Sequence, residues 1–149
     1  MRNRIAYAFT TDPEKVYIID KWPGGDRIVP KAPTAILYEA GSPKDFKWGY
    51  ELDRATGEKI ERIKLLFDPE QPRPYFVPTN IEAETAKLPK SVVDVASDYM
   101  RAIFQHAIEE IKGNYLDPEF LNNFEKQYIL TVPAVWSDKA KDMTLRVRQ

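Results

Sequence analysis

Apolar residues recur at Val92, Val95, Ala96, Tyr99, Met100, Ile103, Ala107, Ile108 and Ile111. That spacing puts one apolar face on a helix over residues 91–112. Ser91 is placed to cap its first turn, with Asp94 three residues on as a weak capping-box partner. Gly113 is placed for the C-cap. At 1.5 Å per residue the helix would be about 33 Å long, enough to cover one side of a small domain.

The chain before this helix reads mainly as strands. IAYAF (5–9) and VYII (16–19) are short, apolar and β-branched or aromatic, and Thr10-Thr11-Asp12-Pro13 between them is a turn cluster. Together they predict a β-hairpin. Trp22-Pro23-Gly24-Gly25-Asp26 predicts a further turn, AILY (35–38) a third strand closed by Gly41-Ser42-Pro43, and FKWGY (46–50) a fourth. In residues 57–67, Ile60, Ile63, Leu66 and Phe67 fall at helical spacing, so a short helix is expected there. Residues 68–78 hold four prolines, each lacking a backbone donor, and read as an extended loop. It is either a surface connector or a docking segment using Tyr75 and Phe76.

After the long helix, residues 114–126 read as a polar connection with a helical option that leads into QYILTV (127–132). This nearly continuous apolar run predicts a strand covered on both faces. Ser137 or Asp138 then caps a final helix running through Met143 towards Val147. Strands, a short helix, a long helix, a buried strand and a last helix make an α/β or α+β layered arrangement.

Composition narrows the function classes. The 149 residues carry 22 basic and 23 acidic side chains, net −1, with 43% hydrophobic and 30% charged residues. This is the profile of one ordinary globular domain or part of a larger one. The balance gives no support for nucleic-acid binding, which needs a basic face. Neither sign of charge gathers into an interaction tail. With no cysteine, disulfides, thiolate metal sites and cysteine nucleophiles are excluded, and a reducing compartment is consistent. No apolar run approaches a membrane span and no secretory leader is visible, so a cytoplasmic location is expected.

Candidate chemistry is sparse. His106 is the sole histidine, lies off the main apolar face and has no second histidine or cysteine to complete a metal site; a structural or surface role is expected. Glu109 and Glu110 read as solvated charges rather than an acid–base pair. No GxxxxGK[ST] or GxGxxG loop occurs, and Gly24-Gly25-Asp26 reads as a turn rather than a phosphate cradle. Ser137 is outside any GxSxG elbow and reads as a helix cap. Lys64 interrupts the apolar IKLLFD string, so its stem would lie on the core with its amine reaching water, unless the amine has a chemical role.

Three blocks carry a resemblance. IAYAFTTDPEKVYII looks like the first hairpin of the fungal and animal actin-like ATPases related to the heat-shock 70-kDa chaperones. DRIVPKAPTAILYE with FKWGYEL resembles their next strands. The long helix followed by QYILTVPAVWSDKAKD resembles the helix and TVPA junction of their first lobe. The proline-rich 68–78 segment is more similar to the fungal branch. The resemblance implies an α/β fold: a partial ribonuclease-H-like (actin-like ATPase) lobe, with a mixed β-sheet and a long packing helix. It implies ATP and magnesium as cofactors of the intact relatives. It sets Lys64 where those proteins have a lysine facing the γ-phosphate, which would stabilise charge on the transferred phosphoryl group. Pro133 matches the TVPA proline that helps relay nucleotide state, and Lys141 falls where the chaperones carry a relay arginine. Lysine keeps that charge but loses the planar fork.

The same resemblance puts a glycine-threonine phosphate loop just before residues 5–9, where this chain has Met1-Arg2-Asn3-Arg4. It puts the second phosphate loop and the second lobe after Gln149. Residues 1–149 are therefore expected to be a partial lobe without competent ATPase activity. A sheet edge left open beside residues 5–9 would offer a protein partner a docking strand. The alternative is a non-enzymatic interaction module using that edge or the 68–78 loop. A small independent hydrolase is disfavoured by the lack of a nucleophile–base pair.

Overall fold

The computed structural model describes residues 2–67, 81–115, 117, 119–132 and 137–147. The expected loop at 68–78 and Pro133 lie outside the described residues. Seven strands come first: β1 (Arg2–Asn3), β2 (Ala6–Phe9), β3 (Asp12–Ile18), β4 (Ala32–Pro33), β5 (Ala35–Tyr38), β6 (Phe46–Trp48) and β7 (Ile60–Glu61). The helices α1 (Ile81–Ala86), α2 (Val92–Gly113) and α3 (Asp138–Arg146) follow, with 3-10 turns at Gly49–Arg54, Ile63–Leu66 and Phe120–Asn123.

In place of one mixed sheet, the described strands form three small sheets, β1–β4, β2–β3 and β6–β5–β7, and every pairing is antiparallel. Connection length explains this. β2 and β3 are separated only by Thr10 and Thr11, and β5 and β6 only by residues 39–45, whereas a parallel neighbour needs a crossover of a dozen residues or more. The hairpin pairs Ala6 with Ile18 and Tyr7 with Tyr17, then slips to Phe9 opposite Asp12. The slip is an irregularity that lets β3 start at Asp12, four residues earlier than expected, and pass through Pro13. A proline is tolerated there because a two-stranded sheet leaves an outer edge on which no donor is needed. β1 does not extend this sheet, so among the described residues no strand lies on the outer edge of β2.

The expected helix over 57–67 is corrected. Ile60 pairs with Ile36 of β5 as part of β7, Arg62 turns left-handed at φ +58°, and Ile63–Leu66 is a 3-10 turn. The i, i+3 spacing that looked α-helical also suits a three-residue turn, which eclipses Ile63 and Leu66 on one face. Both are buried, with Phe67, in the core that α2 completes.

α2 is as expected at its start. The Asp94 N–H donates to Ser91 Oγ (3.1 Å), while the Ser91 hydroxyl donates to the Asp94 carboxylate (2.6 Å). Its end differs by one residue. Gly113 is the last helical residue, and Asn114 makes the cap with right-handed backbone, so the glycine's left-handed freedom is not used. Val95, Tyr99, Ile103, Ala107 and Ile111 are buried along α2, in one cluster with Ile36, Trp48 and Ile63 beneath and Ala140 of α3. Each such aliphatic side chain contributes about 1.5–3 kcal/mol when fully buried. The Tyr99 hydroxyl closes the contact by donating to Pro33 O at 2.9 Å.

The turn after Trp22 anchors a corner of this core. Trp22 is buried and its indole N–H donates to Val29 O (2.8 Å). Gly24 has φ +75°, and a Cβ there would stand 2.6 Å from Glu51 N, so only glycine fits.

The buried strand expected at 127–132 is also corrected. Residues 127–131 take no regular secondary structure and are exposed, Ile129 at 81%. An apolar run of this kind is buried on both faces only at a sheet centre. Here the central strand β5 already has β6 on one edge and β7 on the other. Val132 alone of the run packs against the core. Ser137 caps α3 as expected, its Oγ accepting from Ala140 N–H at 3.3 Å.

Candidate functional site

Lys64 takes the second position of the 3-10 turn Ile63–Leu66, between the buried Ile63 and Leu66, and only its backbone is described. Lys141 lies on α3, where its ammonium pairs with Asp138 Oδ1 at 3.2 Å, one turn away. Asp138 is fully solvent-exposed, so this is a surface pair of small energetic weight. The two lysines stand on different elements, both packed against α2. His106 has the structural role expected of it. Its Nε2 lies 2.7 Å from Lys21 O, and since a carbonyl only accepts, Nε2 carries the hydrogen. Its ring sits 5.6 Å from that of Trp22 and 6.0 Å from that of Trp48.

The most developed polar cluster centres on Asp98, which sequence reasoning did not single out. Its place between Val95 and Tyr99 on the buried face of α2 was the available signal, because a carboxylate there must be paired. Asp98 is 8% exposed. The Tyr38 hydroxyl donates to its Oδ2 at 2.7 Å, Lys90 forms an ion pair with the same oxygen, and Arg101 Nη1 reaches Oδ1 at 3.4 Å. The Lys90 ammonium also stands 5.0 Å above the Tyr38 ring. Burial first, then the hydrogen bond to Asp98 and the charges of Asp98 and Asp94, hold the Tyr38 hydroxyl well above the ordinary tyrosine range. A carboxylate with three donors is engaged on both oxygens. The cluster ties β5 to α2 and to the linker before α2, and it is a strut rather than a reaction centre.

Beside it lies a cleft of ≈ 430 Å³ with Ile60, Leu66 and Leu88 among its apolar lining and Lys59, Arg62 and Lys87 among its charged lining. Lys87 pairs with Glu58 at 2.9 Å across its wall. The left-handed Arg62 costs about 1–2 kcal/mol.

Among the described residues no group of three or more histidine, aspartate or glutamate side chains is placed to hold a metal ion. The Gly24–Gly25 turn packs onto the Tyr50–Glu51 backbone and the Tyr50 ring instead of opening a cradle of amides to solvent. Among the described residues no helix is long and apolar enough to cross a membrane.

With this geometry in view, the relatives are heat-shock 70-kDa proteins. Over 147 residues, 91% of this chain, the sequence is 26% identical to human heat shock 70 kDa protein 12B. It is 26% identical over 148 residues to heat shock 70 kDa protein 12A of human and of mouse. Each match takes up 21% of the relative, so the chain spans about a fifth of the length of these curated proteins. No protein-family model matches the chain, and no solved structure does.

Proposed function

We propose that this chain is part of the first lobe of a chaperone-like, ribonuclease-H-like ATPase, and that these 149 residues alone do not turn over ATP. The observation that carries the reading is similarity to heat shock 70 kDa proteins 12A and 12B along 91% of the chain. The mixed α/β arrangement of small sheets and one long helix agrees with it. In the intact protein Lys64 would face the γ-phosphate of ATP–magnesium, and Pro133 and Lys141 would relay nucleotide state outward. The proline-rich 68–78 segment favours a fungal-type member, and the cytoplasm is its proposed location. The reading of inactivity rests on the lack of any glycine-rich phosphate loop in the 149 residues.

The test is phosphate release from ATP–magnesium by the 149-residue chain and by Lys64→Ala. Both should stay at background. Release above background that Lys64→Ala abolishes would overturn the inactive-lobe reading while supporting the role of Lys64.

A second reading, a non-enzymatic interaction module, is favoured by one observation: among the described residues β2–β3 is a two-stranded sheet, so each strand has an outer edge with no described strand beside it. A partner would add a strand there or dock on 68–78. A stoichiometric partner recovered by pull-down and lost on deleting 68–78 or on placing a proline in β2 supports it. A partner retained through both changes refutes it.

A further inference from the structure

The cleft beside the Asp98 cluster has the build of a small-ligand site. At ≈ 430 Å³ it falls within the size range of such sites. One wall is β7 with the turn that follows it, and the other is the connection between α1 and α2. The lining is apolar at Leu66, which is buried, and at Ile60 and Leu88, which are half-buried. The Tyr38 ring adds an aromatic surface, since its hydroxyl is already engaged by Asp98.

The charges around this lining do not balance. Lys87 and Glu58 pair at 2.9 Å and neutralise each other. Lys59 and Arg62 then stand against Glu61 alone, so the described lining carries one net positive charge. Neither Lys59 nor Arg62 forms an ion pair or a side-chain hydrogen bond among the described residues. Among those residues Arg62 is also the one non-glycine with a positive φ, +58°. Glycine would make the same turn without the steric cost that an arginine meets there. Backbone strain of this kind gathers at ligand clamps and active sites. The guanidinium presents a planar fork of donors that fits a carboxylate through two parallel hydrogen bonds.

We propose that this cleft binds a small amphipathic monoanion. Its hydrocarbon or aromatic body would lie on Tyr38, Ile60 and Leu88, and its carboxylate on Arg62 with Lys59 beside it. Charge sets the class: one carboxylate matches the net charge of the lining, whereas a polyphosphate would bring surplus negative charge towards Glu58 and Glu61. The inference is independent of the ATPase reading, because it calls on neither Lys64, Pro133 nor Lys141.

Phenylacetate is the probe, followed through the amide chemical shifts of the isotopically labelled 149-residue chain. Shifts at Ile60, Arg62 and Leu88 should saturate with a Kd of about 1–10 mM, the range for a ligand of about ten non-hydrogen atoms. Acetate, phenethyl alcohol and phenethylamine should each bind at least ~10-fold more weakly, lacking in turn the body, the anion and the right sign of charge. Arg62→Gly and Arg62→Gln should each weaken phenylacetate at least ~5-fold. The Tm of Arg62→Gly should be no lower than that of the parent chain, because glycine suits the left-handed turn. The proposal is overturned by shifts that do not saturate, or by phenethylamine binding as tightly as phenylacetate. It is equally overturned if either Arg62 variant binds like the parent, if Arg62→Gly has a lower Tm, or if ATP moves these amides more tightly than phenylacetate does.

Discussion

Removing the Asp98 carboxylate tests the central polar contact of the fold. Asp98→Ala takes one acceptor group away from three donors. Hydrogen bonds to a charged group are worth about 1.5–3 kcal/mol each, and a donor left buried without a partner adds its desolvation cost. Three features reduce the sum. Arg101 is exposed and its contact is long, so its share is small. The Lys90 side chain is 23% exposed and can turn towards water. The Tyr38 hydroxyl is half-buried and bears the rest of the loss. Together these give a destabilisation of about 2–4 kcal/mol, which for a chain of this size is a fall of roughly 6–12 °C in Tm. Urea unfolding followed by far-ultraviolet circular dichroism measures it, provided the slope is unchanged. The pairing itself is isolated by a double-mutant cycle with Tyr38→Phe, where a coupling of about 0.5–3 kcal/mol is expected. A loss below about 1 kcal/mol for Asp98→Ala, or additivity of the two changes, would show that the cluster is incidental.

Two further expectations concern other parts of the chain. Burial pushes the Tyr99 hydroxyl up to about 12 and raises that of Tyr38 as well; their stabilisation is complete below the ordinary tyrosine value of about 10 and is lost as pH rises through the folded values. Tyrosinate absorbance should therefore show two late-titrating groups that appear together with unfolding, and their titration near the ordinary value in a folded chain would contradict this. Ile129→Asp, at an exposed position outside any strand, should change stability by no more than about 0.5 kcal/mol; a loss above about 2 kcal/mol would reinstate a buried strand there.

The long helix was readable because its cap and its face agree. Ser91 and Asp94 form local hydrogen bonds, and the nine-position apolar pattern needs no knowledge of the neighbours. The hairpin was readable for the same reason, since Thr10 and Thr11 join strands that are adjacent in sequence. Residues 57–67 misled because one spacing serves two structures: Ile60 is recruited by Ile36 of β5, about two dozen residues back along the chain, and Arg62 adopts a left-handed turn that no propensity of arginine announces. QYILTV misled because an apolar run states that burial is wanted without supplying the neighbour that provides it. The Asp98 cluster was hidden for a related reason. Tyr38, Lys90 and Asp98 come from three separate segments, and only the packing of α2 on β5 brings them within bonding distance. Of the residues singled out by resemblance, the structure describes the Lys141 side chain, paired one turn away with Asp138, and the Lys64 backbone.

The three small sheets have a consequence for how the chain is made. The core beneath β5 is completed by α2, which is synthesised after the seven described strands. At about 5–20 residues per second, the interval between the end of β7 and the end of α2 is roughly 3–10 s. Throughout that interval Ile36, Trp48 and Ile63 lack the cover that α2 gives them. The helix that organises the finished core is thus also a late-arriving lid on the nascent one.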